Sequence, residues 1–459
     1  MQQHPGGPEW YVQLGSPSKG IAPMVDGSEL PYRLLTRRYG VELAWTPMYN
    51  TNNLVTSSKA MNQLVAELKY GGSIDRPLVL QLSGNNPSNF EIAYNTLIQM
   101  GAGHCFDVVE LNMGCPQAVA LRGKYGAYLM GHLSLAEEIL KILVAATTLS
   151  GLGHKVAVKT RLDTSVADTV AMCLRLCSTG VAMLTLHGRT KVQRTGSAVG
   201  PPDWQALASV FKDLRAAYPQ IVFFANGGVW NIETHERLCT FTGCHGTMSA
   251  SMLTENAGVY TCRDRLNRKS STIANLAHTI GEHWIDQAEM QKRFVAARSL
   301  RKCIYTTSKA VEEYPLDAPM YADLIKEWIV SPQKDEDAVI TIQLAEASLE
   351  QRQIRVTLAL EYLLIARSVP IFVTASQLIS HVMRLIGRDL AAANVDLRQT
   401  ITVRSKEQIR DTPSGEQEGA NSMVQMCNIL LEAVCELYYR LNANVCCIIS
   451  SELSQDADL

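Results

Sequence analysis

Residues 108–130 read VVELNMGCPQAVALRGKYGAYLM, an apolar run that ends in a cysteine set between Gly114 and Pro116. A cysteine is most often a small buried hydrophobe, but a glycine and a proline at a strand end force a turn, which carries the Cys115 thiol out of the packed layer. An unperturbed thiol, with a pKa of about 8.5, is mostly protonated at neutral pH and serves as a general acid as well as a nucleophile. Gly123, Tyr125 and Gly126 follow, a composition that predicts a tight, mobile loop beside the thiol rather than a packed helix. Other chemically capable residues close other apolar runs: Met24, Gln81, Asn112, Lys159 with Arg161, His187 with Arg189, and Asn226 with Gly227 and Gly228. A lysine in an interior needs an anion or a polar ligand; an internal ion pair with Glu110 is the alternative reading. His187 alone fits a satisfied core histidine, yet beside Gly188 and Arg189 it reads as a ligand-binding donor. Asn226-Gly227-Gly228 is expected to open a helix, where bare glycine N–H groups and the helix N-terminus favour a phosphate. Ala250 and Ser251 would add the last strand's share of that site.

The elements that must position these residues alternate. Strands are predicted at 20–24, 41–47, 77–83, 106–114, 155–162, 181–188, 220–228 and 245–250, with helices at 28–39, 56–70, 88–102, 134–150, 166–179, 203–217 and 231–242. Ser88 and Asp203 read as helix caps, and residues 47–50 as an ordinary loop. The strands are near-continuous apolar runs, as expected where both faces are buried. Eight β/α units in about 250 residues are the size of a TIM (β/α)8 barrel. A doubly wound sheet would carry a GxGxxG turn after its first strand, and none is present. All the residues singled out then fall at the C-terminal ends of strands, the end of a barrel where active sites are built.

The remainder of the 459 residues bounds the reading. The chain is 47% hydrophobic and 19% charged, with 42 basic against 44 acidic residues, so global charge does not advertise nucleic acid. Twelve cysteines include no CxxC pair, which disfavours zinc ribbons and leaves free thiols as the expectation. The N-terminus lacks the apolar core of a secretory signal, and the most apolar later stretch carries Glu361, Arg367 and Pro370. The expectation is a soluble monomer of the cytoplasm or nucleus, with no membrane span and no metal. The expected organisation is an N-terminal extension (1–19), the barrel (20–262), a helical insertion (263–355), a C-terminal all-α domain (356–445) and an acidic tail (446–459), with a polar linker at 411–422.

The motifs resemble those of the tRNA-dihydrouridine synthase family. They are APMVDGSELPYRLLTRRYG (22–40), PLVLQLSGNNP (77–87), ELNMGCPQAVALRGKYGAYL (110–129), VAVKTRL (156–162), LTLHGRTKVQ (184–193), PDW (202–204), FANGGV (224–229) and GTMSA (246–250), in family order and at family spacing. The CPQ and YGA forms are most like the eukaryotic branch acting on the 5′ side of the tRNA D-loop, positions 16/17, and residues 358–405 are similar to the family's tRNA-binding helical domain. The resemblance implies an FMN enzyme that reduces the C5=C6 bond of uridine, with NADPH as reductant. It implies hydride from reduced FMN at C6 and a proton from Cys115 at C5. Pro23, Met24 and Gln81 would hold the flavin ring, Asn112 would contact flavin and uracil, and Lys159 and His187 would meet the flavin's polar edge and ribityl chain. Asn226, Gly227, Gly228, Ala250 and Ser251 would bind its phosphate, and Arg161 and Arg189 the flavin or the RNA. The residues 122–129 would form the loop that closes behind the extruded uridine.

The sequence departs from the family pattern at Ser251-Met252, where a charged residue followed by glycine is usual, and in residues 263–355. Two other readings stand beside the leading one. The first is an FMN barrel reductase of a free pyrimidine or enone; the second is a flavin-free tRNA-binding scaffold.

Overall fold

The computed structural model describes residues 7–193, 200–261, 349–368 and 372–404, with scattered helical positions between 423 and 437. The chain divides into two compact units, Met1–Thr261 and Cys262–Leu459. Nearly all of the expected insertion, the linker at 411–422 and the acidic tail lie outside the described residues.

The first unit holds nine strands: β1 (Lys19–Ile21), β2 (Leu43–Trp45), β3 (Tyr49–Asn50), β4 (Leu78–Ser83), β5 (Val108–Asn112), β6 (Lys155–Leu162), β7 (Met183–Thr190), β8 (Val222–Asn226) and β9 (Gly246–Ser249). Every pairing is parallel. Because β1 bonds to both β2 and β9, and β2 to β4, eight of the strands close into a ring, with β3 added on β4. The eight expected strands are these eight, so the α/β reading as a TIM barrel is correct. Closure is stapled from outside the ring: the Tyr260 hydroxyl donates to the Gly20 carbonyl at 3.1 Å.

Helices Pro87–Gln99, Leu133–Ser150, Val166–Cys177, Trp204–Ala217 and Ile232–Thr242 form between successive strands where expected. Asp203 is a cap, its side chain accepting from the Ala206 N–H at 2.8 Å. Ser88 is not. Pro87 takes the first helical position, where its missing N–H costs nothing, so the cap falls two residues earlier, on Asn86, which accepts from the Ser88 N–H at 3.1 Å. Residues 47–50 also differ from expectation: Tyr49 and Asn50 form β3, and Asn50 Oδ1 caps the helix Thr51–Thr56 through the N–H groups of Asn52 and Asn53.

The barrel interior is packed with apolar side chains up to the candidate rim, where Met24 and Ala250 rest on one cluster. Leu43, Val79, Val108, Met183, Val222 and Phe224 form that cluster with Trp45 and Met248. The N-terminal helix Glu9–Gln13 contributes Tyr11 to this cluster; that ring is 2% exposed and its hydroxyl donates to the Pro17 carbonyl at 2.6 Å. Part of the segment expected to be a mere extension is therefore core.

In the second unit the helices Leu349–Ser368 and Ala375–Ala393 bury Leu358, Tyr362 and Ile365 and Leu378, Val382 and Leu385. The second helix starts with a reciprocal cap between Thr374 and Gln377. Among the described residues, no helix is long and apolar enough to cross a membrane.

Tyr11→Ala should lower the unfolding free energy by about 3 kcal/mol, in the range of large-to-small core changes, and Tyr11→Phe by about 1 kcal/mol through the lost hydrogen bond. Urea titration followed by tryptophan fluorescence measures both; a loss under about 1 kcal/mol for the alanine variant would mean the helix does not close the barrel.

Candidate active site

Along a strand, residues two apart share a face. That rule puts Glu110 with Asn112 on β5, Lys159 with Arg161 on β6, and His187 with Arg189 on β7. The register then brings the pairs level: Gln81 lies opposite Glu110, Asn112 opposite Lys159, and Arg161, His187 and Asn226 follow one another across three strands. Pro23 and Met24 follow β1, and Ala250 and Ser251 follow β9, at the same end. All the residues singled out by sequence thus stand on one rim.

Cys115 is half-buried on the turn after β5. Asn112 Oδ1 accepts from the backbone N–H of Gly114 at 3.2 Å and of Cys115 at 3.1 Å. From the other side Arg161 Nε donates to the Gly114 carbonyl at 2.6 Å, and its Nη1 donates to the Thr190 carbonyl at 3.3 Å. The turn that carries the thiol is therefore held from its own strand, β5, and from the neighbouring β6. The expectation for the following segment is a tight, mobile loop rather than helix; it is tight but partly helical. It makes a short helix, Ala118–Arg122, and a 3-10 turn, Gly126–Gly131, folded back so that the Ala127 N–H donates to the Cys115 carbonyl at 3.0 Å. Gly126 sits at φ 64°, and a Cβ there would lie 2.7 Å from that carbonyl. Only glycine lets the two backbones approach so closely.

The polar interior is compact and largely buried. Lys159 is 8% exposed and donates to Asn226 Oδ1 at 3.1 Å, while Asn226 Nδ2 donates to the Met248 carbonyl at 2.9 Å. The ammonium therefore meets an amide rather than the ion pair with Glu110 weighed from sequence. Burial pushes the Lys159 pKa down, and Arg161 pushes it further, with Glu110 opposing. Burial likewise lowers Arg161 to about 10, still cationic at neutral pH. Burial and then the Lys159, Arg161 and Arg189 charges drive His187 well below the usual imidazole range. It is a neutral ring, and its Nε2 accepts from Arg189 Nη1 at 3.3 Å. Three cations and a neutral histidine thus face one buried carboxylate, Glu110, an arrangement suited to an anionic or acceptor-rich ligand. Among the described residues no His, Cys, Asp or Glu cluster could hold a metal, and the seven described cysteines are free thiols.

The expected helix opening at Asn226-Gly227-Gly228 is displaced. The helix begins at Ile232 behind Asn231, whose reciprocal cap with Thr234 occupies its first turn. Gly227, at φ 111°, instead makes room for its surroundings: a Cβ would meet Pro202 at 3.0 Å and His187 at 3.1 Å. Trp204 Nε1 donates to the Gly227 carbonyl at 3.2 Å. By contrast, Ser251 begins the helix Ser251–Glu255 with no side chain capping it. The turn carrying Met24 is held by Ser28, whose Oγ accepts from the Met24 N–H at 2.9 Å and whose carbonyl accepts from buried Arg33 at 2.6 Å. Sequence reasoning missed Glu110 as a site residue; its place two before Asn112 on one strand was the available signal.

A sequence profile described as dihydrouridine synthase (Dus) matches residues 20–318 of the chain, including every residue of this rim. The chain belongs to the dihydrouridine synthase family. Among the similar curated proteins, the tRNA-dihydrouridine(16/17) synthase of Saccharomyces cerevisiae, NAD(P)-dependent by name, is 33% identical over 270 residues, covering 59% of this chain and 60% of that protein. A tRNA-dihydrouridine(16/17) synthase-like protein of Rattus norvegicus is 34% identical over 252 residues, covering 55% and 53%. The tRNA-dihydrouridine(20a/20b) synthase of the same yeast is 28% identical over 252 residues, covering 54% and 64%. The match to the first of these dihydrouridine synthases spans 60% of that relative's length.

Asn226→Ala would leave the buried Lys159 ammonium without its amide acceptor. A loss of about 1–3 kcal/mol in unfolding free energy is expected, read by denaturant titration; an unchanged midpoint would mean that water or Glu110 replaces the amide at no cost.

Proposed function

We propose that this chain is a tRNA-dihydrouridine synthase that reduces the C5=C6 bond of uridine in the tRNA D-loop, at positions 16/17, with FMN as resident cofactor and NADPH as reductant. The observation that carries this reading is the Cys115 thiol. It is half-buried at a barrel mouth, its backbone is tied down by Asn112 and Arg161, and cations line the same rim.

The residues fit a flavin mononucleotide. Lys159 spends one of its three N–H donors on Asn226, and among the described residues only that amide accepts from it, so an acceptor edge in the barrel mouth suits it. The half-buried Pro23 and Met24 offer apolar contact beside Gln81. Gly227, Gly228, Ala250 and Ser251 offer backbone N–H groups to a phosphate, Ser251 at an uncapped helix start. That backbone supply does not need the charged residue usual at Ser251-Met252. When bound and reduced, FMN supplies the hydride that C6 of uracil receives.

The chain's own residues do the rest. Cys115 gives its Sγ proton to C5 as C6 gains the hydride, so the ring gains two hydrogens and two electrons, and the thiolate is reprotonated from solvent. Neutral His187 and the unused N–H of Asn112 offer donors to carbonyl oxygens, and Arg161 and Arg189 meet the RNA backbone or the uracil edge. A uridine within folded tRNA must be extruded to reach the thiol, which suits a site on a barrel rim. Residues 356–445 serve as the tRNA-binding domain beyond the catalytic barrel of 20–262, and the enzyme works as a monomer in the cytoplasm or nucleus.

The purified chain should be yellow, and tRNA from cells lacking it should lose dihydrouridine at 16/17, as read by mass spectrometry. A colourless protein that FMN cannot reconstitute, or unchanged dihydrouridine, would defeat the reading. Cys115→Ala should keep flavin absorbance and tRNA affinity while turnover falls by about 10²–10⁴, the usual worth of a general acid; full turnover would remove Cys115 from the proton step.

A further inference from the structure

Behind Cys115 the side chains form a single directed hydrogen-bond relay. Glu110 Oε1 accepts from Gln81 Nε2 at 2.7 Å, and Gln81 Oε1 accepts from Asn112 Nδ2 at 2.7 Å. Asn112 Oδ1 then accepts from the N–H groups of Gly114 and Cys115. Gln81 and Glu110 are fully buried and Asn112 is 6% exposed, so water does not substitute for a missing partner. A carboxamide has a donor end and an acceptor end, and turning it over exchanges them; an ionised carboxylate only accepts. With a carboxylate at 110, Gln81 must point its amino group toward Glu110 and its oxygen toward Asn112. Asn112 must then point its amino group back and its oxygen to the thiol-bearing turn. Turned over, Asn112 would set an amino group against two backbone N–H donors, and the turn would be released.

We propose that Glu110 is a positioning residue for Cys115: its acceptor oxygen anchors the Gln81–Asn112 relay in the sense that the Gly114 and Cys115 N–H groups require, and thereby holds the turn that presents the thiol. The proposal rests on the reading of Cys115 as the proton donor. The competing role is counter-charge. Lys159 and Glu110 act on each other electrostatically. The second carboxylate oxygen, Oε2, makes no hydrogen bond of ordinary geometry among the described residues, with the Trp45 indole N–H the donor that acts on the carboxylate beside Gln81. A counter-charge needs the negative charge, whereas the relay needs an acceptor oxygen.

Substitutions in the full flavin-loaded chain separate the two. Glu110→Gln keeps an acceptor oxygen and removes the charge; Glu110→Met removes both at similar size. The first readout is the rate at which iodoacetamide modifies Cys115, followed by mass spectrometry of its peptide, which does not depend on catalysis. The second is the split of kcat against KM for tRNA. Glu110→Met should speed modification about tenfold and lower kcat about tenfold with KM unchanged, while Glu110→Gln stays within about twofold of the parent in both. Gln81→Met should reproduce the faster modification, and the double variant should be no faster than either single one, because both break one relay. Equal effects of the glutamine and methionine variants would overturn the proposal in favour of counter-charge. So would effects of Glu110→Met and Gln81→Met that multiply, or a methionine variant within about twofold of the parent. If Glu110→Met does not fold, fast modification in Gln81→Met with parental behaviour in Glu110→Gln supports the relay, and any other pairing overturns it. A colourless parent chain that makes no dihydrouridine would sink the enzyme reading instead, and the modification rates would still report on the relay.

Discussion

The closure of the parallel sheet is the constraint on which the rest of this barrel depends. Once β1 pairs with both β2 and β9, the ring has no free edge, and every strand runs in one direction. Each strand's C-terminal end then opens on the same rim, so residues as distant in sequence as Met24 and Ser251 become neighbours of one mouth. Closure also leaves the other end of the ring to be filled. Tyr11 and the first residues of several strands do this with apolar side chains, and the chemically capable groups gather at the rim.

That gathering sets the electrostatics. Burial makes each charge at the rim costly, and the cations raise one another's cost: Arg161 acts against Lys159, and all three act against His187. One carboxylate, Glu110, lies among them, itself pushed upward by burial and drawn back by Gln81, Trp45 and Lys159. Such an excess of donors over acceptors is poor for stability alone, because a buried charge without a matched partner costs more than it returns. It is well suited to a ligand with many acceptor atoms. Arg161 also shows that one side chain can be both structural and available: its Nε and Nη1 tie the Cys115 turn to the end of β7.

Much of this was legible in the order of residues. Long apolar runs separated by capped helices marked eight β/α units, because a strand buried on both faces needs no alternation. Every run expected to be a strand is one, and the residues ending the runs all reach the rim. The misses were local. Pro87 moved a cap from Ser88 to Asn86, since the position after a cap tolerates a missing N–H. Asn50 turned an expected loop into a strand end and a helix start. Asn226-Gly227-Gly228 had a composition suited to a helix opening, yet the competing cap at Asn231 and Thr234 took the helix start four residues away. The close packing of Gly227 against His187 and Pro202 could not be read from the chain, because those residues come from another β/α unit.

By itself, then, the sequence determined the family, the barrel and the set of side chains brought to its mouth, because apolar runs, the breaks between them and the order of motifs are written along the chain. Only the tertiary structure decided how those side chains are spent. Whether Lys159 on β6 meets Glu110 on the adjacent β5 or Asn226 on β8, two strands away, depends on how the closed ring turns the side chains toward one another. The sense of the Glu110–Gln81–Asn112 relay depends on the register of β4 with β5. The turn that holds Cys115 depends on Arg161 reaching over from β6. Hydrogen bonds between side chains need directions and distances within a few tenths of an ångström, and those come only from the closed ring.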